Sequence, residues 1–72
     1  MHATYTAVIR EDDGMWIGWV EEVAGVNSQG ETRDELLSNL REALAEAIEM
    51  NREEALAAAS GAGAFEEVEL AP

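Results

Sequence analysis

The sequence predicts a small α+β protein with elements in the order β-β-β-α-β. Two observations lead to this prediction. Residues 3–22 contain two runs rich in β-branched and aromatic side chains, separated by an Asp-Gly turn. Residues 32–59 open with a helix-capping sequence and then repeat apolar side chains at helical spacing. We therefore expect a small antiparallel or mixed sheet with one helix packed on one face, all within a single domain covering residues 1–72.

The first two strands are expected at residues 3–10 and 15–22, joined by a hairpin turn at residues 11–14. In the first strand, Tyr5 and Ile9 share one face. Alternation gives the second strand two apolar faces, which carry Trp16, Gly18 and Val20 on one side and Met15, Ile17 and Trp19 on the other. One face should meet the helix. The other should meet a second subunit or a partner, since it would otherwise be an exposed apolar patch.

A short third strand is expected at residues 26–29, and the helix begins after it. Thr32 and Glu35 have the spacing of a capping box, in which each side chain accepts a hydrogen bond from the backbone amide of the other residue. The apolar stripe of the helix consists of Leu36, Leu37, Leu40, Ala43, Leu44, Ala47 and Ile48. The stripe predicts packing as far as Ile48, while residues 50–59 are helical by propensity alone.

The glycine-rich stretch at residues 60–63 should end the helix, with Gly61 in the left-handed conformation. Residues 64–70 then alternate as in a fourth strand. Phe65 and Glu67 point one way in this strand, and Val68 and Leu70 point the other way.

Composition limits the possible classes of protein. The chain has 72 residues and no cysteine, which excludes disulfides, thiolate metal sites and thiol nucleophiles. A domain of this size has a small core, so we expect a homo-oligomer, a dimer or higher. The first residues lack the pattern of a signal peptide, and no apolar run is long enough to span a membrane. We expect a soluble, cytoplasmic protein.

The formal net charge of −12 indicates which partners are compatible. Sixteen acidic residues face only four arginines. Nucleic acid would be repelled, because its binding depends on neutralising phosphates with Lys and Arg. A basic protein would be attracted.

Several segments resemble, in order, those of HicB-type antitoxins. They are Gly14–Val20, Gly25, Ser28–Glu35 and the Glu-Ala-Leu of residues 42–44. The chain departs from the family at Glu21 and Ala24, where prolines are usual, and at Leu36, where alanine is common. It also lacks the DNA-binding domain that many members carry after this one, so operator binding is not expected.

The resemblance implies a partial ribonuclease-H-like fold without nuclease activity, in which the fourth strand lies beside the first. It also implies a function, since HicB-type proteins neutralise a small basic mRNA-cleaving toxin by masking it. The alternative is a stand-alone homo-oligomeric module, structural or regulatory, without a toxin partner.

Glutamates line the helix opposite its apolar stripe. They are Glu35, Glu42, Glu46, Glu49 and Glu53. We call the last four the acidic ridge. The simpler interpretation is a solvated face, as charge runs commonly are. The functional interpretation is a docking surface for a basic partner.

Trp16 and Trp19 are the other candidate partner-binding residues. They lie on opposite faces of the second strand, so one should be in the core and the other at an interface. Self-association is the favoured use of the exposed tryptophan, and an exposed sheet edge could also accept a strand from another chain.

No pattern in the sequence indicates an enzyme, a metal site or a cofactor. The acidic residues 11–13 lack the spacing of a calcium loop, and strand 1 offers no carboxylate for two-metal nuclease chemistry. His2 has no predicted partner, and the serines lack a nucleophile-elbow context. We expect no catalytic, metal-binding or cofactor-binding residue.

Overall fold

A computed structural model describes residues 4–61 and 63–70 of the chain. It contains the strands β1 (Ala7–Asp12), β2 (Met15–Val20) and β3 (Asn27–Gly30), followed by the helix α1 (Arg33–Ser60). The strands form one antiparallel sheet in the order β1-β2-β3. The helix packs on one face of this sheet. The predicted α+β class is confirmed, with three strands and one helix.

The hairpin between β1 and β2 turns through two residues. Asp13 and Gly14 have φ angles of 53° and 83°, and two positive φ angles are what a type I′ turn requires. The turn is therefore as predicted, but it is tighter, because Glu11 and Asp12 pair with Trp16 and Met15 across the hairpin.

The bounds of the three strands differ from the predicted ones. Residues 4–6 precede β1, which continues to Asp12. Of the predicted first strand, Ala3 lies outside the described residues. β2 ends at Val20 rather than at residue 22, because the chain turns there and the Val20 amide donates to the Val26 carbonyl at 3.1 Å. β3 is shifted by one residue from the prediction.

The core is a cluster of four buried side chains, which are Val20, Val26, Leu36 and Leu40. Gly18 lies between them and allows the helix to approach the sheet. A Cβ atom on Gly18 would lie 2.8 Å from Ile9 Cγ2 and 3.2 Å from Leu40 Cδ1. Gly30 has the same role at the start of the helix, since a Cβ atom there would lie 2.7 Å from the Leu36 backbone nitrogen.

The first half of α1 packs as the sequence predicts. Thr32 is the N-cap, and its Oγ1 accepts a hydrogen bond from the Glu35 amide at 3.1 Å. Burial declines along the apolar stripe, from complete at Leu36 to 36% exposure at Ile48. The helix nevertheless continues to Ser60. At its end Gly61 has φ −75°, so the predicted left-handed cap is wrong, and Gly63 is the residue with positive φ, 98°.

The predicted fourth strand is absent. Residues 64–70 are outside any strand, and Glu67 lies 3.8 Å from Arg52 beside the distal half of α1. The length of the helix explains the error. Twenty-eight residues extend about 42 Å, whereas a six-residue strand extends only about 20 Å. Residues 64–70 therefore begin beyond the sheet, and they do not pair with β1 of the same chain.

No helix within residues 4–61 and 63–70 combines the length and apolar character needed to cross a membrane.

Truncation of Leu40 should destabilise the domain severely. Leu40 is 3% exposed, and Leu40→Ala removes a central core side chain, which should cost about 2–5 kcal/mol of unfolding free energy. Met50→Ala is the matched control on the same helix, since Met50 is 58% exposed. Urea unfolding of both variants measures the difference. Equal, small effects would show that the core does not depend on this helix face.

Candidate functional site

The face of the sheet opposite the helix is partly apolar. The register places Val8 beside Trp19 and Arg10 beside Ile17 on this open face. Trp19 is 43% exposed, although it belongs to the central strand. A large aromatic side chain that remains exposed on a central strand is a feature of protein-binding surfaces.

Trp16 lies on the other face of β2, where it is half-buried against the core cluster. The structure therefore separates the two predicted tryptophans. Trp16 contributes to packing under the helix, whereas Trp19 remains 43% exposed on the open face. This is the division that strand alternation predicts, with Gly18 and Val20 sharing the helix side with Trp16.

The four glutamates of the acidic ridge are all exposed. At about 100° per residue they fall opposite Leu40 on the helix. Within the described part of the chain, the ion pairs are Arg10–Asp12 and Arg52–Glu67, each at 3.8 Å. Arg52 is near Glu49 in sequence but pairs with Glu67 instead. The ridge therefore has no arginine partner among the described residues.

The two predicted surfaces lie on opposite sides of the molecule. Trp19 is beneath the sheet, and the acidic ridge is on the outer side of the helix that covers the other sheet face. A single flat interface cannot include both. Each must be tested as a surface of its own.

A groove between α1 and β1 is a feature that no sequence-based prediction anticipated. The helix packs mainly on β3 and β2, which leaves the side nearest β1 less covered. The resulting groove has a volume of about 220 Å³. Its lining includes Ala7, Leu37 and Leu44, with Tyr5 and Arg41 as polar members. The signal in the sequence was the width of the apolar stripe, because Leu37 and Leu44 extend to one side of Leu36 and Leu40.

The structure describes no group of three or more His, Cys, Asp or Glu side chains placed to hold a metal ion among residues 4–61 and 63–70. In the acidic hairpin, Asp12 pairs with Arg10 on the solvent-exposed side of β1. His2 lies outside the described residues.

Glu22 holds the open end of the β1–β2 hairpin. Its Oε1 accepts a hydrogen bond from the Thr6 amide at 2.8 Å, and the Thr6 carbonyl accepts from the Glu21 amide at 3.0 Å. The hydrogen bond from the Thr6 amide lowers the pKa of Glu22 below its ordinary value of 4.5, because it favours the ionised carboxylate.

Together, the fold and these surfaces define a small α+β protein with an exposed tryptophan on its open sheet face and an acidic face on its helix. The chain is 45% identical over 40 residues to a UPF0150 protein from Synechocystis sp.. The match covers 56% of this chain and 58% of the relative, so it spans little more than half the length of either. No protein-family model matches the chain, and no solved structure matches it.

The hydrogen bond between Thr6 and Glu22 should make part of the stability dependent on pH. Because the pKa of Glu22 is lowered in the folded state, its contribution is present above the ordinary value of 4.5 and is lost as the pH falls through the lowered value. We expect Glu22→Gln to destabilise the protein at pH 7, and this difference from the parent protein should shrink in acid.

Glu21→Gln is the matched control, because it makes the same charge change at the neighbouring exposed residue. Unfolding by urea at a series of pH values from neutral to acidic measures both variants. A difference between the parent protein and Glu22→Gln that stays constant across this range would contradict the assignment.

Proposed function

We propose that this chain is a non-catalytic, antitoxin-like domain that neutralises a small basic mRNA-cleaving toxin by masking it. The observation that carries the proposal is the acidic ridge, a line of exposed carboxylates without arginine partners in the described part of the chain. The ordered resemblance to HicB-type antitoxins supports the proposal. The similarity to a UPF0150 protein adds a relative whose name states no activity.

The arrangement of the ridge has an energetic cost that a basic partner would offset. Glu42 and Glu46 are like charges four residues apart, as are Glu49 and Glu53. Each such pair destabilises a helix by about 0.2–0.5 kcal/mol. The cationic side chains of a basic surface docked along the ridge would attract these glutamates and offset the repulsion between them. The net charge of −12 would also accelerate the encounter with such a partner.

The toxin would be masked by simple coverage. The four ridge glutamates span 12 helical residues, or about 17 Å of helix. A basic nuclease binds RNA through cationic side chains, so a carboxylate surface that occupies those side chains competes directly with RNA. This mechanism requires no catalytic group on the antitoxin.

The second candidate function is a stand-alone homo-oligomeric module, structural or regulatory. The exposure of Trp19 on the open sheet face favours it, because this surface is partly apolar and is separate from the ridge. The two candidates predict different sensitivities to salt. A complex formed through the ridge weakens as salt rises, whereas an apolar contact through Trp19 does not.

Charge reversal on the ridge should abolish neutralisation of the toxin. The toxin to test is a small basic protein encoded by an open reading frame beside this one, co-expressed with the antitoxin chain. We expect the parent chain to restore growth and to co-purify with the toxin at low salt but not at high salt. The double variant Glu46→Arg/Glu49→Arg should lose both properties while keeping its helical circular dichroism.

The control is Glu21→Arg/Glu31→Arg, which changes the net charge equally at exposed positions away from the ridge. Retained binding in this control, with loss in the ridge variant, would identify the ridge rather than the total charge. Equal binding by both variants would remove the ridge from the interface. A neighbouring basic protein that neither binds nor is neutralised would leave the oligomeric module as the better hypothesis.

A further inference from the structure

The outer edge of β1 is open to strand pairing. The Thr6 carbonyl accepts from Glu21, so the ladder alternation turns the backbone groups of Ala7, Ile9 and Glu11 away from β2. No strand among the described residues pairs with them. The opposite edge of the sheet is different, because Asn39 Nδ2 donates to the Gln29 carbonyl at 2.8 Å. The outer edge of β3 is therefore partly bonded, and β1, with six residues against four, is the longer open edge of the sheet.

The groove between α1 and β1 runs beside this edge. Ala7 belongs to both, since its side chain lines the groove and its backbone groups point outward. A strand added at β1 would direct every second side chain into the groove, against Leu37 and Leu44. The site therefore fits an extended segment with apolar side chains at alternate positions.

Residues 64–70 of this chain have that pattern. Val68 and Leu70 are two residues apart and are 69% and 89% exposed. They share their face with Ala64 and Glu66, while Phe65, Glu67 and Glu69 alternate with them. The segment belongs to no strand in the described structure, and the side chains of Phe65, Val68 and Leu70 are each at least half exposed.

The charges of the segment and the groove are complementary. The segment carries three glutamates, and Arg41 lies in the groove. Glu66 is on the same face as Val68 and Leu70, so it would enter the groove with them. Because the chain has only four arginines against 16 acidic residues, few places on the molecule can accept such an acidic strand.

A chain that keeps its complete helix cannot fill its own groove with this segment. Gly61 follows Leu44 by 17 residues, which is about 26 Å of helix. Val68 follows Gly61 by seven residues, which reach at most about 25 Å when fully extended. Val68 therefore reaches no farther than Leu44, and Leu70, nine residues after Gly61, reaches at most about 32 Å, which is short of Leu37 at about 36 Å of helix. The Arg52–Glu67 pair holds the segment beside the distal half of the helix. The occupant must come from another copy.

We propose that the free edge of β1 and its groove bind the 64–70 segment of a second copy of the chain. Val68 and Leu70 fill the groove, Glu66 approaches Arg41, and the segment continues the sheet as a strand beside β1. Reciprocal exchange closes a two-fold dimer, and closure pairs the β1 edges of both copies at once. Self-assembly through this edge does not require the toxin.

The first test is the mass of the full chain in solution. We expect twice the chain mass of 7.8 kDa by sedimentation at micromolar concentration. Val68→Gln/Leu70→Gln should weaken the dimer about tenfold or more, whereas Glu67→Gln/Glu69→Gln, on the other face of the same segment, should leave it dimeric. A dimer equally stable in both variants would overturn the proposal.

The second test shows whether the segment acts within a chain or between chains. Ala7→Pro blocks the edge, and it is compatible with β1 because the Ala7 amide points outward at the first strand position. Neither Ala7→Pro nor Val68→Gln/Leu70→Gln should dimerise alone. Mixed together, they should form a one-way heterodimer, since one supplies the segment and the other supplies the edge.

Two outcomes of this mixing experiment would contradict exchange. The mixture contains one variant with an intact 64–70 segment and one with an intact β1 edge. If this mixture remains monomeric although the parent chain dimerises, the segment does not act between chains. If Ala7→Pro alone still dimerises, a surface other than β1 holds the copies together. Circular dichroism of each variant confirms that the helix and sheet are retained before the masses are compared.

Discussion

The close approach of the helix to the sheet at Gly18 and Gly30 is the constraint on which the rest of the structure depends. The core has four buried side chains among the described residues, and two of them, Leu36 and Leu40, come from the helix, so the core depends on the helix lying close to the sheet. A methyl group at Gly30 would strike backbone atoms of α1, and one at Gly18 would displace Leu40 and Ile9. These two glycines place the helix over β2 and β3. That position in turn leaves β1 with a free edge and an uncovered groove.

Local signals predicted much of this fold. The Asp-Gly hairpin, the Thr32 cap and the stripe that ends near Ile48 each depend on a few neighbouring residues, and the structure has all three. The prediction of the fourth strand was wrong for a reason that lies outside that segment. Residues 64–70 alternate correctly, but their partner is determined by where the helix ends. That end is controlled by residues 50–60, whose helical propensity requires no contact with the sheet.

For the candidate surfaces, too, local sequence patterns predict which residues share a face but not how the faces are arranged in the fold. Periodicity was sufficient to place the acidic ridge opposite the core stripe and to put the two tryptophans on different sheet faces. It could not say which tryptophan faces the helix, although the small residue Gly18 on the side of Trp16 was a usable signal. That the ridge and Trp19 point in opposite directions depends on the layer order, which no single segment encodes.

The positions of the arginines leave the acidic ridge and the groove as two separate surfaces with different charge. Arg10 and Arg52 are held in local ion pairs, and Arg41 lies in the groove. These three positive charges therefore act away from the ridge. On the helix, the groove residues Leu37, Arg41 and Leu44 fall about 40–100° from Leu40, and the ridge falls about 180–240° from it. Occupation of the groove would leave the ridge exposed, so self-assembly and binding of a basic partner are geometrically compatible. Assembly would also bring two acidic helices into one particle, and the resulting field would strengthen the attraction for a cationic surface.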